Sequence, residues 1–470
     1  MLERRLGGGA LATILAAMLS GCVSHAVQPP VRADHRYVLL GPEGVPVARV
    51  ITQAAQCPGI EIDGVARSMS VRMPAETIPV RPSRSDPPKP SVFPVLTCEA
   101  TLPISAKSAL IGGQALPLPK ANPQRIALVG DTGCRVVAKY NLFQACNDPA
   151  QWPFAQVANQ AADATPDLVI HVGDYHYRDG PCKPGDAGCA GSPWGYGWDA
   201  WRADFFDPAR RLLAAAPWIV VRGNHESCNR AGQGWWRFLD PRPVAPRQDC
   251  NLAADDDVGN YSDAYAVPIG RDADTQFLIF DSSWVGLTPI PPTDLMYRNY
   301  RAEFEQAFAL GMRTARAWFV SHQPVLGFAS NPSKPESPYP GNPGLQSVLQ
   351  ALYPDVFFPA NVEAVISGHN HVLEIVNFSS PHPPQFITGN GGTWLDEPFP
   401  TPFPKDARVA PAAVVDEIVA AARFGFMTMA RDAAGWRMQA WDSSGKLLTK
   451  CSLAARKVAC DPIAGSPPKP

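Results

Sequence analysis

Residues 168–177 read Leu-Val-Ile-His-Val-Gly-Asp-Tyr-His-Tyr. A mostly apolar run stops at Gly173, and the chain then presents Asp174, Tyr175, His176 and Tyr177. A short apolar run closed by glycine is the pattern of a strand buried on both faces. The same texture recurs on either side. Ile126-Ala127-Leu128-Val129 runs into Gly130-Asp131-Thr132-Gly133, and Trp218-Ile219-Val220-Val221 leads to Gly223-Asn224-His225-Glu226. Ala317-Trp318-Phe319-Val320 meets Ser321-His322, and Val362-Glu363-Ala364-Val365-Ile366 leads to Gly368-His369-Asn370-His371. Phe277-Leu278-Ile279-Phe280 is a further strand candidate, while residues 154–164 and 205–216 have helical spacing. Strands alternating with helices predict βαβ units and an α/β chain. Ligand sites in open α/β sheets gather at the carboxyl ends of strands. Asp131, Asp174, Asn224, His322, His369 and His371 therefore describe one bowl of oxygen and nitrogen donors.

Outside this region the pattern changes. Residues 35–119 show short alternating stretches such as Tyr37-Val38-Leu39-Leu40 and Val47-Ala48-Arg49-Val50, interrupted by a Pro-rich segment at 79–94. They predict a small β-rich domain. Residues 120–455 form the expected main α/β domain, ending in an antiparallel meander over 425–429, 436–441 and 447–453, and 456–470 a tail. The 470 residues contain 51 Pro and 37 Gly, below the roughly 25–30% of low-complexity chains, so a loop-rich globular protein is expected. With 41 Lys plus Arg against 43 Asp plus Glu, no nucleic-acid-binding surface is expected, because such surfaces depend on phosphate contacts.

The first 21 residues read as an address. Arg4 and Arg5 precede an apolar run over 6–19, too short for the roughly 20 residues that span a bilayer. The run ends in Leu19-Ser20-Gly21-Cys22, which resembles the bacterial lipoprotein box. That resemblance implies cleavage before Cys22, lipidation of its thiol, and residues 22–34 as a tether to a membrane. Val23 stands where Asp favours inner-membrane retention, so the expected location is the periplasmic face of the outer membrane. Setting Cys22 aside leaves an even number of the 11 cysteines. They are expected to pair in succession: Cys57 with Cys98, Cys134 with Cys146, Cys182 with Cys189, Cys228 with Cys250, and Cys451 with Cys460. No Cys-x-x-Cys occurs, which argues against a zinc ribbon or a thioredoxin-like redox site.

The polar clusters differ in specificity. Gly-Asp-x-Gly is weak, and a second copy at Gly185-Asp186-Ala187-Gly188 reads as a loop turn. Gly-Asn-His-Glu is sharp, expected by chance on the order of 0.001 times in such a chain. His25, His35, His171 and His382 read as structural histidines, and His176 stays undecided. In order and spacing the five clusters resemble the calcineurin-type metallophosphoesterases, and within them the purple acid phosphatases, over about residues 124–450. Gly133 stands where most of the superfamily has His in the first motif, and Tyr177 lies three residues past Asp174, as in the purple subgroup. Phe319 replaces a usual Val. Asn331-Pro332-Ser333 occupies the region where plant members carry further substrate-binding His.

The resemblance implies a two-sheet αββα metallophosphoesterase sandwich and a dinuclear site. Asp131, Asp174, Tyr177 and His371 would hold one metal, and Asp174, Asn224, His322 and His369 the other. The donor chemistry agrees: phenolate and carboxylates suit Fe³⁺, whereas an amide oxygen and two imidazoles suit Fe²⁺, Zn²⁺ or Mn²⁺. A metal-bound hydroxide would attack a small phosphate monoester. His225 is assigned to phosphate binding or leaving-group protonation, with a purely orienting role as the alternative, and Glu226 is expected to orient His225. Cys134, Cys182 and Cys228 sit beside the first three motifs, where their bridges would preorganise the donors. Trp194, Tyr196, Trp198, Trp201, Trp235 and Trp236 read either as packing or as an aromatic rim. Competing readings are a phosphodiesterase on nucleotides or lipids and a non-catalytic binding lipoprotein. A serine hydrolase and a P-loop kinase fail, since there is no Gly-x-Ser-x-Gly and Gly445-Lys446 is followed by Leu447.

Replacing Cys22 removes the acceptor thiol. Cys22→Ser is expected to move the protein from the membrane to the soluble fraction on cell fractionation, and continued membrane association would contradict the lipid anchor.

Overall fold

A computed structural model describes residues 33–269, 274–431 and 435–463. The leader, Cys22, His25 and residues 464–470 lie outside the described residues. The strands of the two principal sheets are, in chain order, β1 (Ala33–Leu40), β2 (Pro46–Thr52), β3 (Ser70–Met73), β4 (Leu96–Thr101), β5 (Arg125–Val129), β6 (Leu168–His171) and β7 (Trp218–Val220). They continue with β8 (Tyr265–Ile269), β9 (Thr275–Phe280), β10 (Arg316–Ser321), β11 (Val362–Ser367), β12 (Leu373–Phe378), β13 (Gln385–Thr388) and β14 (Val415–Ala421). The last four are β15 (Gly425–Arg431), β16 (Trp436–Asp442), β17 (Leu447–Ala454) and β18 (Lys457–Cys460).

One sheet runs β18-β17-β16-β15-β5-β6-β7-β1-β2-β4-β3, and the other β8-β9-β10-β11-β13-β12-β14. The centre of the first is parallel, with Leu128 opposite Ile170 and Ile170 opposite Ile219. In the second, β9, β10 and β11 are parallel. The period-two alternation of a strand sorts the side chains. Ile126, Leu128, Ile170 and Ile219 pack between the sheets against Phe277, Trp318, Ile366 and Phe386. Ala127, Val129 and Val220 face outward beneath α1 (Phe154–Asp163) and α2 (Arg210–Ala215). On the far side Leu278, Phe319 and Val365 pack under α3 (Leu295–Gly311) and α4 (Pro343–Leu352). This is the αββα sandwich. Phe319 fits where Val is usual because it faces the helix layer, among Phe280, Phe304 and Phe358.

Several expectations need correction. The 205–216 stretch is not one helix: Pro208 offers no N–H, and the chain turns before α2 begins at Arg210. Helices α3 and α4 are additional to those expected from the sequence. Asp294 caps α3 by accepting from Met296 N at 2.9 Å, and Asn342 caps α4 by accepting from Leu345 N at 2.8 Å. Residues 35–119 are β-rich and hold a small core of their own, including Val38, Val50, Ile60 and Ile111. The boundary at 119 is nevertheless no break, because β1 pairs in parallel with β7 and carries β2, β4 and β3 into the same sheet as β5 and β6. Pairing removes the open edge that β7 would otherwise expose. Likewise the boundary at 455 falls inside a hairpin, where β18 pairs with β17 across the Cys451–Cys460 disulfide. The meander continues the sheet through β15, which pairs with β5.

The bridges are Cys57–Cys98, Cys134–Cys146, Cys182–Cys189, Cys228–Cys250 and Cys451–Cys460. Among the described residues no helix is long and apolar enough to cross a membrane.

Trp318 is fully buried between the sheets, against Phe277, Phe386 and Trp436. Trp318→Ala is expected to cost about 3–5 kcal/mol in urea unfolding with disulfides intact. A loss below about 0.5 kcal/mol, the range of a surface change, would contradict this packing.

Candidate metal centre

The polar clusters that follow β5, β6, β7, β10 and β11 meet at one end of the sandwich. Asp174 lies at their centre. Its Oδ2 accepts from the Tyr177 hydroxyl at 2.7 Å and lies 3.4 Å from His322 Nε2, while its Oδ1 accepts from His225 N at 2.8 Å. On one side the Tyr177 hydroxyl is also 3.0 Å from Asp131 Oδ1 and 2.9 Å from His371 Nε2. On the other, Asn224 Oδ1 is 3.0 Å from His322 Nε2 and 2.9 Å from His369 Nδ1, and these two ring nitrogens are 3.3 Å apart. Residues from 131 to 371 thus fall into two sets that share Asp174.

Close approach of the chains explains two glycines. A Cβ on Gly133 would lie 2.8 Å from Tyr177 N and 2.9 Å from Tyr177 Cδ2, so the space a side chain would need is filled by the tyrosine. A Cβ on Gly223 would meet Asp174 Oδ1 at 2.1 Å. The non-glycine residues Asp131, Asp174 and His369 have left-handed φ values of 55°, 58° and 69°. Such conformations persist only where the surroundings enforce them, and they cluster at functional sites.

The donor set fits cations. His322 Nδ1 donates to the Val172 carbonyl at 2.8 Å, which leaves Nε2 as a lone pair aimed at Asn224 Oδ1 and Asp174. With the ring neutral, acceptor would face acceptor, so the position calls for a positive charge, either a proton on Nε2 or a cation bound there. The protein's electrostatics point the same way. Burial opposes protonation of His322, yet the Asp174 carboxylate outweighs it and lifts the pKa to about 9. Burial and then the His322 charge push His369 down to about 3. Burial raises Asp131 well above the ordinary carboxylate range, and the Asp174 charge adds to it. Burial would raise Asp174 too, but the His322 and His225 imidazoles hold it well below that range. The Tyr177 phenol is driven well above its usual value by burial and by both carboxylates.

Glu226 departs from expectation. It makes no hydrogen bond to His225. Its carboxylate instead accepts four backbone N–H groups: Oε2 from Asp174 and Gly223, each at 3.0 Å, and Oε1 from Tyr175 at 2.9 Å and His176 at 3.2 Å. It clamps the loop that carries Asp174. Burial and the Asp174 charge push its pKa up to about 8, while the N–H donors favour the ionised form. His225 is oriented by another group, its Nδ1 donating to the His176 carbonyl at 2.9 Å. Burial, then the Arg230 charge, holds His225 well below its ordinary value.

Other residues sort plainly. His176 is structural, with its Nε2 2.9 Å from the Gly195 carbonyl. His171 stacks on Tyr175, and His35 and His382 are buried away from the centre. Tyr196, Trp198, Trp201, Trp235 and Trp236 are core side chains rather than a rim. Asp186 caps its own turn by accepting Gly188 N at 2.9 Å. Asn331 bonds within its own loop, to Ser337 O at 3.0 Å. Two supporting carboxylates lie outside the expected set. Asp204 accepts Cys134 N at 3.0 Å and Tyr177 N at 2.8 Å, joining the first two motifs, and Asp396 accepts His371 N at 2.8 Å. Neither has a local sequence signal, since each acts on residues far along the chain.

The calcineurin-like phosphoesterase family model matches residues 124–373, and the chain belongs to that family. Among solved structures, a purple acid phosphatase from yellow lupin (Lupinus luteus) seeds aligns with a TM-score of 0.54 at 15% identity, over 88% of this chain and 72% of that one. A structure of PhoD aligns with a TM-score of 0.49 at 11% identity, over 92% of each chain. A search of curated proteins finds no match.

The Glu226 clamp can be tested. Glu226→Gln sets an amide donor against the backbone N–H groups. The variant is expected to lose about 1–3 kcal/mol of stability by urea unfolding, together with most phosphate-ester hydrolysis. Unchanged stability and activity would show that the clamp positions nothing.

Proposed function

We propose that this chain is a dinuclear-metal phosphoesterase of the purple acid phosphatase type, hydrolysing small phosphate monoesters. The carrying observation is the convergence of Asp131, Tyr177 and His371 on one side of Asp174, and of Asn224, His322 and His369 on the other. Phenolate and carboxylate donors suit Fe³⁺ in the first set, and amide and imidazole donors suit Fe²⁺, Zn²⁺ or Mn²⁺ in the second. When bound, such ions lower the pKa of water from about 15.7 towards 7 and neutralise phosphate charge.

The protein's own part is positioning and proton handling. Asp174 serves both sets, and Glu226 and Asp204 fix the loops that present it and Tyr177. The bond from His225 Nδ1 to the His176 carbonyl fixes the ring and leaves Nε2 free, 3.9 Å from Asp174 Oδ2. Arrival of a phosphate dianion favours protonation of Nε2. The resulting N–H can then hold a phosphate oxygen or pass its proton to the leaving oxygen, a role typically worth about 10²–10⁴-fold. Clefts of about 670 and 600 Å³ both reach Asn224, so groups on either side of phosphorus find room and a diester is the second reading. A filled donor set speaks against a purely binding lipoprotein. Arg4, Arg5 and the Leu19–Cys22 tetrapeptide support export and a lipid anchor.

The deciding experiment joins metal analysis to hydrolysis of 4-nitrophenyl phosphate and of its bis-ester by the purified protein. The expected protein is coloured, faster on the monoester, and bleached by Tyr177→Phe. Failure to hydrolyse either ester with both metals bound would overturn the phosphoesterase reading. A colourless, active zinc protein would overturn only the iron assignment, and a faster bis-ester only the monoester preference.

A further inference from the structure

The cleft of about 670 Å³ that leaves the centre past Asn224 and His225 is polar and unevenly charged. Four cations line it, Arg84, Arg135, Lys139 and Arg230, against the carboxylates of Asp86 and Asp179. Arg230 is already committed, since it pairs with Asp179. Among the described residues, Arg84, Arg135 and Lys139 form no ion pair. Arg135 stands out. Its guanidinium lies 5.7 Å from the Tyr177 ring centre, and its Nε is buried with no hydrogen-bond partner. Arg135 as a whole is only half-buried and lines the cleft, so its guanidinium can meet an anion there.

Arg84 comes from the Pro-rich segment for which the sequence suggested no task. That segment is pinned on both sides of it. Arg81 pairs with Asp256, and Arg84 N donates to the Asn229 carbonyl at 2.8 Å. Further along, Lys89 Nζ sits 4.3 Å above the Trp194 ring. The wall is therefore preformed, and the cleft volume suits a small molecule.

We infer that this cleft is a subsite for a second anionic group of the substrate. Resting on the phosphoesterase reading, this makes the preferred esters small phosphomonoesters that carry another phosphate or carboxylate on the leaving group. Arginine offers a planar fork to either oxyanion and lysine a point charge, so the shared chemistry is a second oxyanion.

Three sugar esters separate the possibilities: glucose 6-phosphate has no second anion, 6-phosphogluconate adds a carboxylate, and glucose 1,6-bisphosphate adds a phosphate. With the full-length protein, kcat/KM is expected to be about tenfold higher for one or both esters with a second anionic group than for glucose 6-phosphate, mainly through KM. Raising ionic strength should shrink that ratio. Arg84 and Lys139 are exposed, so Arg84→Ala/Lys139→Ala should fold and bring the ratio towards one. A readout independent of turnover is acylation of Lys139 followed by mass spectrometry, which the esters with a second anionic group should slow more than glucose 6-phosphate does. Equal kcat/KM for all three esters, with Lys139 equally reactive in each, would overturn the subsite and leave the phosphoesterase reading standing. Protection of Lys139 with no hydrolysis of these esters or of 4-nitrophenyl phosphate when both metals are bound would overturn the phosphoesterase reading and leave an anion-binding cleft.

Discussion

A carboxylate at Asp174 must hold its charge while almost wholly buried, and much of the surrounding structure answers that demand. Histidine rings on two sides pull its pKa down against the effect of burial. Its backbone adopts a left-handed turn that an aspartate does not favour by itself. That turn is held because Glu226 gathers the N–H groups of Asp174, Tyr175 and His176, and also of Gly223 ahead of the next motif. The clamp joins the loops after β6 and β7 into one unit. Asp204 does the same between the loops after β5 and β6. Disulfides at Cys134 and Cys228 close these loops, each loop of that size contributing on the order of 2–4 kcal/mol.

The sandwich supplies what local clamps cannot. Asp131, Asp174 and Asn224 come from the first sheet, and His322, His369 and His371 from the second. Their side chains meet because the two sheets share one apolar layer, in which Val172 and Ile219 pack with Val320 and Ile366. The Val172 carbonyl shows the coupling directly. It belongs to the first sheet's loop and fixes the ring of His322 at the end of the second. A shift between the sheets would therefore misplace donors from both at once.

The N-terminal region changes meaning in this light. Its strands extend the first sheet, and Tyr37 and Arg49 both donate to the Phe238 carbonyl, at 2.7 and 2.9 Å. Beyond them the Pro-rich segment reaches the mouth of the centre and lays Arg84 along a charged cleft. Framework and wall are thus one continuous piece of chain.

The sequence alone determined the strands that end in Gly-Asp, Gly-Asn-His and Gly-His-x-His, a helix beginning at Phe154, the terminal meander and the identity of the converging donors. These are local signals: an apolar run, a glycine and a donor placed where the strand stops. Tertiary structure decided what depends on distant partners. Nothing near Glu226 in the chain shows that its carboxylate will meet the backbone of Asp174 rather than the ring of His225. Nothing near Asp204 or Asp396 marks them as supports for Tyr177 and His371. The joining of β1 to β7 was equally hidden, because an edge strand's pattern does not name its neighbour. Periodicity reports which face of an element is buried, whereas hydrogen-bond partners and sheet neighbours exist only once the chain has folded.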